Sequence, residues 1–466
     1  MVGPGQDRLR RVGACAAGLM GLAAGLAATL LAPLPAGAGE SDLRTRDTLT
    51  GDWGGARTRL WNRGIDLRLT YTGEVFGLLS GGATTGASYE DLIDLEVNAD
   101  LEKLVGWKGG SAHVSLLQID NGGRNAADLV GSLTDPSNID ASPTFRLFTV
   151  YLEQELGRAG SFRAGQIAAD DEFLISSTAA PLIASTFGWP GIAAADFPRG
   201  GPAYPLATPG ARLALTPTNE TKIMAAVFSG DPAGECPLLQ NPQSCNPHGT
   251  TFSFTGGAMF MGELQYRPNP SQEDETGTAY RIGGWYHTGK FADQAIGNGN
   301  DGTIIAIAEN PASPIEHQTN WGLYAVVDQV LWQSDTARVM AFWRGGIAPP
   351  DRNFVSWYMD GGFGIAGLVP GRPDDVLTFG VAHSNVSRDE AARVRSAWRL
   401  FGYPTKVRSG NIVYELTYTA KLTPWWSLQP DLQYISYPGV APIGPDGLPR
   451  PVGDALLVGL RTTVAF

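Results

Sequence analysis

After residue 38 the chain contains no uninterrupted apolar run approaching the ~18 residues that a membrane-spanning helix needs, although 43% of its residues are apolar. Transmembrane helices are therefore excluded from that part of the chain. Cysteine is scarce: 3 residues in 466, of which Cys15 lies in an N-terminal leader. Histidine is scarce too, and His113, His248, His287, His317 and His383 show no metal-ligand spacing. Basic residues are outnumbered, with 34 Lys and Arg against 46 Asp and Glu and a formal charge of −12. That balance argues against nucleic acid as a partner, since binding it takes clustered Lys and Arg. No Gly-x-Ser-x-Gly elbow occurs. Gly284 to Lys290 mimics a phosphate loop, but Phe291 stands where Ser or Thr must hold magnesium. No cofactor or metal is expected.

What is present begins with an address. Asp7, Arg8, Arg10 and Arg11 precede an apolar stretch from Ala14 to Leu34, and Ala36-Gly-Ala38 places small residues at a cleavage site. This pattern predicts a secretory signal peptide over residues 1–38. It directs the chain to an oxidising compartment, where Cys236 and Cys245 are expected to pair and staple one loop. A ring this small would restrict the unfolded chain by roughly 2.5–3 kcal/mol. Residues 39–63 are expected to form a periplasmic segment with a short helix from about Gly54 to Arg63, capped by Asp52, ended by Gly64, with Leu60 and Trp61 as its apolar members.

From Gly64 onward the period is two. Ile65, Leu67, Leu69 and Tyr71 alternate with Asp66, Arg68, Thr70 and Thr72. The same alternation recurs around Ile93, Phe260, Tyr280, Ile412 and Leu428. In the last stretch, Leu456, Val458, Leu460, Thr462, Val464 and Phe466 form one face, and Leu457, Gly459, Arg461, Thr463 and Ala465 the other. Such a period belongs to strands. A face bearing Arg, Glu and Asp along whole strands points to water rather than a dry core, because unpaired buried charge is too costly. About sixteen segments alternate between mostly short and mostly long connections, which describes an all-β, antiparallel transmembrane barrel over residues 64–466. At that size a barrel keeps an aqueous lumen. Tyr71, Trp321, Trp343, Trp357, Trp425, Tyr434 and Tyr437 are placed to form interfacial belts.

The longest connection, Ala168 to Gly210, mixes acids, aromatics, Gly and Pro. Its aromatic content argues against disorder, and its length for a function. It is expected to fold into the lumen and narrow it.

Several stretches carry a family resemblance. Leu49-Thr-Gly-Asp-Trp-Gly-Gly-Ala-Arg57, Arg63-Gly-Ile-Asp66, Tyr71-Thr-Gly-Glu74, Gly201-Pro-Ala-Tyr-Pro205, Gly367 to Val376, Thr423 to Ile435 and Gly459 to Phe466 resemble OprB-type carbohydrate-selective porins. The resemblance implies a sixteen-stranded channel in a Gram-negative outer membrane that passes glucose and related sugars by diffusion. Its partners would be mono- and disaccharides and outer-membrane lipid; homo-oligomerisation is left open. The resemblance does not carry individual sugar contacts over. From the strand pattern, the inward candidates are Arg68, Asp94, Glu96, Glu153 and Arg163, with Glu172, Trp189 and Arg199 from the long connection. Charged groups there would meet sugar hydroxyls and aromatic rings the apolar ring face. Two other readings compete. One is a carbohydrate-hydrolysing β-protein, with Asp170/Asp171 or Asp94/Glu96 as paired carboxylates. The other is a general porin without sugar preference.

Overall fold

The computed structural model describes residues 42–466 except 238–239, 269–276, 300–302, 310, 312, 401, 403–409 and 437–451. The signal peptide expected at residues 1–38 and the belt residue Tyr437 lie outside the described residues. Among the described residues, no helix is long and apolar enough to cross a membrane. The crossing is made by strands.

Sixteen strands close into one antiparallel barrel. They are β1 (Ile65–Gly82), β2 (Gly86–Asp100), β3 (Gly110–Asp120), β4 (Thr144–Glu155), β5 (Gly160–Ile167) and β6 (Thr208–Thr218). Then come β7 (Thr221–Ser229), β8 (Ala258–Tyr266) and β9 (Ala279–His287), and, past a small external sheet of β10 (Phe291–Asn298), β11 (Ile304–Ala306) and β12 (Pro314–His317), β13 (Asn320–Gln333). The wall is completed by β14 (Arg338–Ile347), β15 (Val355–Ala366), β16 (Val376–Val386), β17 (Gly410–Thr423), β18 (Trp426–Ser436) and β19 (Gly453–Ala465). β1 pairs with β19 to seal the cylinder, with Val75 opposite Leu460 and Tyr71 opposite Val464.

The alternation sorts side chains as a barrel in lipid requires. Val458 and Leu460 point out and stay exposed, as do Phe260, Leu264, Ile282, Leu416 and Leu432. Exposed aromatics ring both ends: Tyr286, Trp321, Trp357 and Tyr434 at one, Tyr266, Tyr280, Trp332 and Trp426 at the other. Two external connections, 83–85 and 348–354, are themselves short.

The helix before the first strand runs over Ala56–Asn62, starting later than the sequence indicates. Gly55 occupies its cap position in a left-handed conformation, while the Asp52 carboxylate still accepts the Thr58 backbone N–H at 2.8 Å. Trp61 is 55% exposed rather than packed, with Lys103 Nζ 5.6 Å from its ring centre. Leu49 N–H donates to Ala465 O at 2.7 Å, so this segment is fastened beneath the β1–β19 seam. A helix at Arg388–Leu400 and the β10–β12 sheet lie in two of the long connections.

The lumen is not uniformly wet, and inward charges do not all meet water. Residues 168–207 fold inside and pack against β6–β9 and β13–β19. Phe173, Leu182, Ile183, Phe187, Ile192 and Phe197 are buried against Val326, Phe342, Tyr358, Val413, Ile435 and Leu457. Leu457 belongs to the face read as small or polar. The charges on this half of the wall survive burial because the inward chain satisfies them. Arg344 Nε donates to Asp360 Oδ2 at 3.0 Å, Nη1 to Leu174 O at 2.9 Å and Nη2 to Phe187 O at 2.8 Å. Glu415 accepts the backbone N–H groups of Ile183 and Ala184. Gly380 makes room for this packing: a Cβ there would stand 2.6 Å from Leu182 Cδ1 and 2.8 Å from Phe187 Cε1. Residues 121–143 also turn inward, with Asn138 N–H bonding Ile183 O at 2.8 Å and Gln433 Nε2 bonding Pro136 O at 2.8 Å.

Candidate solute path

With half the lumen filled, water-accessible space remains along the inner faces of β1–β5. The alternation that sends Leu67, Ile93 and Leu152 outward sends Arg68, Asp94, Glu96 and Glu153 inward. Two cavities follow this wall. The lower, about 680 Å³, opens near the periplasmic end and is lined by Asp66, Arg68, Glu96, Asn98, His113 and Glu153 among others. The upper, about 400 Å³, is lined by Asp94, Glu96, His113, Ser115, Tyr151, Arg163, Asp171 and Glu172. Glu96, His113 and Tyr151 border both, which makes the two spaces consecutive stretches of one passage.

At the upper cavity the barrel wall and the inward connection exchange charges. Arg163 Nη2 lies 2.8 Å from Glu153 Oε2, and Arg212 Nη2 lies 3.0 Å from Glu153 Oε1. Arg212 Nε reaches Glu172 Oε2 at 2.7 Å, and Arg163 Nη1 stands 3.8 Å from the same oxygen. Two guanidinium groups and two carboxylates thus alternate in a ring with no net charge. The Arg163 guanidinium also covers one face of Tyr151 at 4.0 Å, while His113 stacks on that ring at 4.6 Å between centroids. His113 is held by Asn98 Oδ1 at 2.7 Å and Thr149 Oγ1 at 3.1 Å. Asp94 accepts the Ser115 hydroxyl at 2.8 Å. Among the described residues, Glu96 and Asp171 have no hydrogen-bond partner, so their oxygens remain open to the lumen.

Six of the eight residues picked out by pattern therefore line one stretch of wall: Arg68, Asp94, Glu96, Glu153, Arg163 and Glu172. Trp189 and Arg199 lie elsewhere. The Trp189 indole N–H donates to Gly200 O at 2.9 Å, and its ring packs on Phe197 at 5.8 Å. Arg199 Nη2 donates to Cys236 O at 2.6 Å, beside the Cys236–Cys245 disulfide. The sequence pattern does not single out Arg212 or Tyr151, and it raises His113 only as a metal ligand and Asp171 only as one of a carboxylate pair. Arg212 was readable, because it alternates with outward Leu213 and Leu215 in β6.

Above the upper cavity an apolar cluster forms beside the buried Arg146. Leu117, Ile119 and Ala141 are buried together, with Phe148 and Tyr204 against them. The Tyr204 hydroxyl donates to Ile139 O at 2.8 Å, and its backbone N–H donates to Asp170 Oδ2 at 2.8 Å. One side chain thereby ties both inward connections together. Burial pushes the Asp170 carboxyl up to about 6, with the Tyr204 N–H opposing that rise. Deeper in the packed half, burial holds Asp196 well above the ordinary carboxylate range, although Val355 N–H bonds its Oδ1 at 2.9 Å.

The comparisons with known proteins bear on this arrangement. A family model described as "Carbohydrate-selective porin, OprB family" matches residues 84–466. "Porin B" of Pseudomonas aeruginosa is 25% identical over 441 residues, covering 90% of this chain and 91% of that one. The "High pH structure of Pseudomonas putida OprB" superposes with a TM-score of 0.77 at 23% identity, covering 92% of this chain and 100% of that one. The low-pH structure of the same protein gives a TM-score of 0.54 at 18% identity, covering 91% and 99%.

Proposed function

The chain belongs to the carbohydrate-selective porin family OprB, and we propose that its sugars travel along the β1–β5 wall and are sorted at the Asp94–Glu96–Arg163–Glu172 level. It is a carbohydrate porin of the Gram-negative outer membrane. Family and barrel are those of a channel rather than an enzyme. The finer reading is that glucose and related mono- and disaccharides are the solutes. The observation that carries it is the meeting of the neutral charge ring with unengaged carboxylates in one water-filled space of about 400 Å³.

A sugar is neutral and carries hydroxyls around an apolar ring. Arg163, Arg212, Glu153 and Glu172 bind each other, so they hold the wall and the inward connection rigid. Glu96, Asp171 and Asp94 offer acceptors to passing hydroxyls, and His113 beside Tyr151 supplies a flat border. Contacts made to groups already solvated by lumen water are weak, which transport needs, since a solute must leave as readily as it enters. We assign Trp189 and Arg199 to fastening the inward connection rather than to touching solute.

The test is sugar block of single-channel current in a planar bilayer. Glu96→Ala is expected to weaken block by glucose while leaving the open channel intact, by about 3–10-fold for one hydrogen bond of ~1 kcal/mol. Unchanged block by the variant would move the sorting level away from Glu96. Products appearing from a glycoside added to the reconstituted protein would instead favour hydrolysis.

A further inference from the structure

The external connection between β7 and β8, residues 230–257, behaves unlike the two that fold into the lumen. It crosses the rim of the barrel and comes down on the outside. The register of β4 against β3 slips between Leu147 and Val150, which frees the Leu147 N–H. That group donates to His248 O at 3.0 Å. Thr144 Oγ1 donates to Pro247 O at 2.7 Å, and Gln166 Nε2, which faces outward by strand register, donates to Gly249 O at 2.9 Å. The descending residues end in Phe252 and Phe254. Between them and the outer wall lies a groove of about 670 Å³, a size typical of single-ligand pockets, roughly 300–1,000 Å³.

We propose that this groove seats one acyl chain of an outer-leaflet membrane lipid. Its floor consists of outward positions at the long-connection end of β4–β8, Val150, Pro209, Ala211 and Val227. These continue the lipid-facing band formed lower down by Leu152 and Leu213, and Phe260 stands directly opposite Val227. The bilayer around an outer-membrane barrel is therefore already in contact with the groove's open side. Most polar groups that a peptide or a sugar would seek are already paired, although Gln166 Oε1 is buried without a partner among the described residues. The Gln166 amide N–H group also bonds Phe148 O at 2.8 Å, and the Ser229 hydroxyl donates to Thr255 O at 3.3 Å. The wall is built at a conformational cost: Phe252 has φ of 47°, a region that aromatic residues rarely enter. Phe254 is 81% exposed, an unfavourable state for a phenyl ring in water and an ordinary one beside acyl chains.

The test reconstitutes the whole protein in phosphatidylethanolamine vesicles carrying a trace of phospholipid with a diazirine on one acyl chain. After irradiation, labelled residues are mapped by mass spectrometry. Labelling of Val150, Val227 and Phe252 is expected to exceed that of Ile282 and Leu323, lipid-facing residues outside the groove, by roughly tenfold, equivalent to about 1.4 kcal/mol of preference. Ala211→Trp fills the floor and should abolish the excess while single-channel conductance stays unchanged, which shows that the barrel is intact. Phe254→Ser, on the exposed wall, gives the same readout should the tryptophan variant fail to assemble. Even labelling over all outward residues, or an excess that survives both variants, overturns the proposal. Cross-links from Val227 to a second copy of the chain would overturn it too, by making the groove a protein seat.

Discussion

Asp196 is a carboxyl that the fold keeps away from water. Its Oδ1 takes the Val355 N–H, and Oδ2 is buried without a partner among the described residues. Burial raises its folded-state value well above the ~3.9 of an unfolded aspartate. A raised acid adds stability that is complete below the unfolded value and is lost as pH climbs through the folded one. Alkaline pH should therefore loosen the inward connection around Gly191–Asp196. Hydrogen exchange of the Ala193 and Phe197 amides is expected to quicken with pH beyond the intrinsic rate in the wild type. Asp196→Asn, neutral and nearly isosteric, should remove that extra acceleration. Arg344 is the opposite case, a permanent charge made tolerable by one carboxylate and three carbonyls. Neither residue stands out in the sequence, because burial inside a barrel depends on which connection turns inward.

Among the elements, strands were the most legible. Outward Leu456, Val458 and Leu460 against inward Arg461 mark β19 with no knowledge of its neighbours, since lipid and lumen impose opposite demands at each step. Leu460 is 45% exposed on the outer face, opposite Val75 and Pro430. Leu460→Arg is expected to cost about 2–4 kcal/mol near the bilayer midplane, read as a lowered denaturant midpoint for the folded barrel in lipid vesicles. The helix at Arg388–Leu400 was legible but unread. Ser387 and Glu390 have capping-box spacing, and the Ser387 hydroxyl does accept the Glu390 N–H at 3.1 Å. The dry interior was not legible. Val413, Ile435 and Leu457 are inward and apolar, yet an apolar residue on a lumen face carries no sign of the partner that will cover it.

Taken whole, the molecule is a cylinder divided lengthwise. β6–β9 and β13–β19 support a packed insert; the lower and middle parts of β1–β5 border water, and Tyr204 joins the two inward connections where that water meets an apolar cluster. An apolar narrowing can exclude water and thereby set the resistance of a pore. Tyr204→Ala removes the ring from Phe148 and unties Ile139 from Asp170. Single-channel conductance should rise several-fold, and liposome swelling should admit larger sugars than the wild type does. An unchanged size cut-off would place the tightest point lower, at the charge ring.

The lengthwise division also limits how such a pore can be retuned. Residues of β13–β19 that look into the cylinder are bolted to the insert, so altering them would trade assembly for selectivity. On the wet staves that obligation falls on Glu153 and Arg163 of the charge ring, not on Arg68 or Glu96. An engineer wanting another cargo has one wall to recut, and natural variants with new diets are expected to differ along that same side.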